Sequence, residues 1–110
     1  MFEGGVRIGL GSDAHMYPGG VPRELEALVA AGLTPRDALR AATVDAAAII
    51  GTDQVGSIAP GRLADLVLLD GDPLQDIGNV RKIWQVIQGG WIVDRERLRT
   101  REEPAQATPR

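Results

Sequence analysis

The sequence has no cysteine, one histidine and one lysine in 110 residues, and only four aromatic side chains. The missing cysteines exclude disulfides and thiolate-ligated metals, and they say little about compartment. No apolar run approaches the ~20 residues of a membrane-spanning helix, so no membrane partner is expected. The first residues lack the basic-then-apolar layout of a secretory leader. Basic charge is not in excess either. The formal net charge is −3, which argues against nucleic acid as a partner. Residues 1–93 carry 7 basic and 11 acidic groups, a net of −4, and residues 94–110 carry 5 and 4, a net of +1. What remains is 44% hydrophobic and 25% charged, an ordinary globular composition. It suits one small domain or a piece of a larger one. The expectation is a cytoplasmic chain, and a secreted parent whose leader is absent from these residues would look the same.

The most informative stretch is Val6-Arg7-Ile8-Gly9-Leu10-Gly11-Ser12-Asp13-Ala14-His15. Apolar residues alternate with Arg7, Gly9 and Gly11, which predicts a strand over 6–10 that stops at an acid. A carboxylate at the carboxyl end of a strand, beside glycines that leave room, is a common way for an α/β enzyme to place an acid or base. Asp13 is therefore the candidate catalytic residue, with simple turn capping by Ser12-Asp13 as the competing reading. Asp13-x-His15 would share a strand face, but a catalytic zinc takes about three protein ligands. His15 reads better as a loop residue at the mouth of a site, contacting substrate. Gly9-x-Gly11-Ser12 lacks the Gly-Lys-Ser/Thr ending of a phosphate loop and the third glycine of a dinucleotide site.

Tyr17-Pro18-Gly19-Gly20 predicts a loop. A helix over about 22–31 follows, with Leu25, Leu28 and Val29 as its apolar stripe and Gly32 as its stop. Thr34-Pro35-Arg36-Asp37 has the layout of a helix start, with a cap, a proline at the first position and an acid after it. From there a single helix is predicted to run to Gly51, its core stripe being Leu39, Ala42, Ala46 and Ile49. Leu66-Val67-Leu68-Leu69 is apolar throughout and predicts a strand buried on both faces. Asp70-Gly71-Asp72-Pro73 predicts a plain turn, since Pro73 and the missing later ligands argue against a calcium loop. Ile83 to Gln88, then Gly89-Gly90, then Trp91-Ile92-Val93 predict a hairpin on a two-residue turn, with Trp84 and Trp91 in the core. The polar tail, with Arg95, Arg97, Arg99 and Arg101 among acids, predicts a solvated helix end and then disorder.

The run Leu39-Arg40-Ala41-Ala42-Thr43, followed by Gly56-Ser57-Ile58-Ala59-Pro60-Gly61-Arg62-Leu63-Ala64-Asp65-Leu66-Val67, resembles the metal-dependent amidohydrolase superfamily. The likeness is to its carboxyl-terminal part and is greatest in the branch of imidazolonepropionase and the prolidase-like enzymes. It covers residues 6–93.

The resemblance implies an α/β fold: the last strand and helices of a (β/α)8 TIM barrel, plus the carboxyl-terminal strands of a small β-sandwich, incomplete as a single chain. Residues 1–51 would be the end of the barrel, 52–94 the sandwich strands and 95–110 a disordered tail. Asp13 would be the aspartate that ends strand eight, both metal ligand and general base, with His15 near the substrate. The implied cofactor is a divalent metal, zinc in most of the family. Such a metal lowers the pKa of its bound water toward ~7, where a carboxylate can take the proton. The implied substrate is a small amide, cyclic amide or dipeptide. The family's His-x-His pair, its lysine and its further histidines have no counterparts here, because His15 and Lys82 are the only residues of their kinds. The expectation is therefore a carboxyl-terminal fragment that is inactive and metal-free alone. The alternative is a non-enzymatic subunit that self-associates or complements a chain carrying the rest of the barrel.

Overall fold

Thr34 and Pro35 set the best-defined helix start in the chain. The Thr34 hydroxyl accepts a hydrogen bond from the Asp37 amide at 3.1 Å, and Pro35 occupies a position whose N–H would have had no partner. A cap of this kind stabilises a helix by about 1 kcal/mol. The computed structural model describes residues 4–11 and 20–98. In chain order it contains α1 (Gly20–Ala30), α2 (Pro35–Ala42), α3 (Val44–Ile50), β1 (Leu66–Leu69), a 3-10 turn (Ile77–Arg81), β2 (Ile83–Gln88) and β3 (Trp91–Ile92). The three strands form one antiparallel sheet in the order β1-β2-β3.

The buried side chains are few and small: Leu25, Ala38, Ala41, Ala47 and Ile77. Leu25, Ala38 and Ile77 form the centre of the core, where α1, α2 and the 3-10 turn meet, and Leu10, Leu28, Val29 and Leu39 pack around it. Alanines at the helix contacts let the backbones approach closely. Burial of Leu25 and of Ile77 stabilises by about 2 kcal/mol each. Across the outside of this junction the Arg81 guanidinium donates through Nε (3.0 Å) and Nη2 to Glu26 Oε1. Both side chains are more than 40% exposed, so the pair fixes orientation and adds little stability.

Several expectations hold. The first helix buries Leu25 with Leu28 and Val29 beside it, and Gly51 closes α3 in a left-handed conformation. The hairpin also forms as expected, with Ile87 opposite Ile92 and Gln88 opposite Trp91.

Others are corrected. Residues 6–10 form no strand. A strand needs a ladder partner, and among the described residues none lies beside this segment. Among the described residues its one backbone tie is the Leu10 amide, which donates to the Ala41 carbonyl at 2.8 Å. The helix expected from Thr34 to Gly51 is two helices. Thr43 breaks it with φ −126° and ψ −94°, while its hydroxyl bonds back to the Leu39 carbonyl at 2.7 Å, a contact that bends helices. Leu39 and Ala42 of the expected stripe pack against the core, beside the buried Ala38, Ala41 and Ala47, and the stripe ends before Ile49. Ile49 is 55% exposed. In the tail, one helical turn is present at 95–98, and the expected disorder lies outside the described residues.

The sheet also differs from expectation. Val67 pairs with Val86, and the register shifts between Leu68 and Leu69, so that Leu69 pairs with Ile83 and Trp84 falls at the irregularity. Val67 and Trp91 are exposed on one face of the sheet and Trp84 is exposed at the irregularity, so β1 is not buried on both sides and the tryptophans are not core. The reason is that no second layer covers this side among the described residues. The opposite face, which carries the pairs Leu66–Ile87 and Leu68–Gln85, is half-buried.

The hairpin turn is held from outside by β1's approach. The Asp65 carboxylate accepts from the Gly89 amide at 2.8 Å, and the Ala64 carbonyl accepts from the Gly90 amide at 3.0 Å. Both glycines have positive φ, +56° and +86°, as a tight two-residue turn between twisted strands requires. Asp65→Ala is expected to destabilise the chain by about 1 kcal/mol. Amide hydrogen exchange should show it locally, with Gly89 losing protection before the Leu66–Ile87 pairs do.

Candidate functional site

The approach to the candidate site is built by packing rather than by a sheet. The Leu10–Ala41 hydrogen bond ties the chain to α2. Gly9 lies against α3, where an added Cβ would stand 2.9 Å from Ile49 Cδ1 and 3.6 Å from Ala46 Cα. The description reaches Gly11, whose missing side chain faces open space. Residues 12–19 follow. Asp13, the expected catalytic and metal-binding residue, and His15, the expected substrate contact, therefore lie outside the described residues.

Several of the described carboxylates have structural work. Asp72 Oδ1 accepts from the Leu74 amide at 2.9 Å, and Asp76 Oδ1 caps the 3-10 turn through the Gly78 amide at 2.9 Å. Asn79 Nδ2 donates to the Asp72 carbonyl at 2.9 Å, and its side chain fills the space where a Cβ on Gly71 would go. The chain bends at 70–71, and the hydrogen-bonded turn falls two residues later than expected, where the Gln75 amide donates to the Asp72 carbonyl at 3.2 Å. Asp45 lies 3.7 Å from Arg40, and Asp65 holds the hairpin as described above. The sequence gives no local signal for that last role, because 24 residues separate Asp65 from Gly89.

Among the described residues no group of three His, Cys, Asp or Glu side chains could hold a metal ion. None of their polar or charged side chains is buried. The shallow concavity beside Trp84, lined also by Gln85, Ile92, Val93, Asp94, Arg95 and Glu96, is open to solvent. No helix among the described residues is long and apolar enough to cross a membrane.

Comparison with known proteins supplies the class. Residues 1–93 match the amidohydrolase family, and the chain belongs to that family. It is 38% identical over 114 aligned residues to an imidazolonepropionase of Symbiobacterium thermophilum, an alignment that covers 92% of this chain and 26% of the relative. It also superposes on the structure of a Xaa-Pro dipeptidase with a TM-score of 0.74 at 33% identity, over 81% of this chain and 22% of that one. With phenylurea hydrolase B the TM-score is 0.71 at 41% identity, over 84% and 19%. The resemblance read from the motif run is thus correct at the level of family. The chain spans about a quarter of the length of the imidazolonepropionases it matches.

Proposed function

We propose that this chain supplies the carboxyl-terminal part of a hydrolase that cleaves a C–N bond in a small amide, cyclic amide or dipeptide. The observation that carries the reading is the family match across residues 1–93, joined by likeness to an imidazolonepropionase and a Xaa-Pro dipeptidase. In this proposal residues 1–51 close a barrel, residues 52–94 contribute strands to a sandwich, and residues 95–110 form a solvated tail. Asp13 is the base and one metal ligand, His15 meets the substrate, the metal is zinc and the location is cytoplasmic.

The described residues do not fit a resident metal by themselves, since no three ligating side chains converge among them. The chain's single histidine adds at most one nitrogen ligand. No catalytic step therefore runs through a metal held by these residues alone. After dialysis the purified chain is expected to hold far less than one zinc per molecule by elemental analysis. One tightly retained zinc per chain would refute this and point to a complete site around Asp13 and His15. The functional test pairs the chain with a polypeptide supplying the remaining barrel strands. Hydrolysis of a dipeptide or cyclic amide that needs both chains supports the proposal. A well-formed complex without activity on any such substrate rejects it.

A second reading is favoured by a specific observation. On the three-stranded sheet Trp84 is 63% and Trp91 81% exposed, with Val67 exposed as well, apolar surface of the kind that marks an interaction site. In this reading the chain is a non-enzymatic subunit, associating with itself or with a complementing barrel chain. Light scattering at rising concentration is expected to show species heavier than one chain. Trp84→Gln combined with Trp91→Gln should shift the distribution toward monomer with little loss of thermal stability. A wild-type chain that stays monodisperse and monomeric across the range would contradict it.

A further inference from the structure

We draw no further inference here: the strongest candidate, the exposed apolar patch of Val67, Trp84 and Trp91 on the three-stranded sheet, carries nothing because nothing in the structure shows what covers it.

Discussion

Gly56→Ala is expected to destabilise the chain by about 3 kcal/mol, from backbone strain and overpacking together. Two independent features act at this one position. Its φ of +101° is a conformation that side-chain-bearing residues rarely adopt. A Cβ there would also stand 2.8 Å from Ala47 Cβ, 3.0 Å from the Thr43 carbonyl oxygen and 3.3 Å from Val44 Cα. Two of those three atoms are backbone, which cannot swing aside as a side-chain tip can. Gly61→Ala is the matched control. Gly61 has a similar φ of +84° but open space around it, so its cost should be about 1 kcal/mol. Urea unfolding of the two variants separates the terms. Equal losses would show that crowding against α3 contributes nothing.

Asp13→Asn is expected to give the largest functional loss, under the proposed assignment and in an assembly that supplies the rest of the barrel. The amide keeps the shape of the carboxylate but cannot accept a proton, so turnover should fall by about 10²–10⁴-fold, the usual contribution of a general base. His15→Ala should be milder and appear mainly in KM, because His15 is assigned to substrate and not to proton transfer. Steady-state kinetics of the two variants discriminate between the roles. Near-normal kcat in Asp13→Asn, with its loss in His15→Ala, would reverse the assignment.

The sequence was most legible where a local rule decides the outcome. The Thr34-Pro35 start, the Gly51 stop and the Gly89-Gly90 turn each follow from a few neighbouring residues, and each is present. It was least legible where the outcome depends on what lies alongside. The alternation of residues 6–10 has strand period, but alternation states a preference, and a ladder needs a neighbour. Leu66 to Leu69 reads as doubly buried because every residue is apolar, yet burial requires a layer on each side. The helix break at Thr43 has a β-branched residue as its only local sign. Gly56, 13 residues on, lies against this break, its bare Cα facing Thr43 and Ala47, a packing that no local pattern announces. For the site, the motif run was sufficient to give the family, because such a run records ancestry. The chemistry was not legible in the same way, since it needs several side chains to converge and these residues carry one histidine.

The helix junction also determines which mutational experiment is informative. Three of the five buried residues among those described are alanine, so truncation scanning reads Leu25, Ile77 and the larger side chains around them and is silent on the alanines. The residues that set the spacing of α2 and α3 respond only to enlargement. A scan that adds methyl groups, such as Ala38→Val, Ala41→Val and Ala47→Val, reads the tolerances of this fold, whereas one that removes them would suggest that the α2–α3 contact hardly matters.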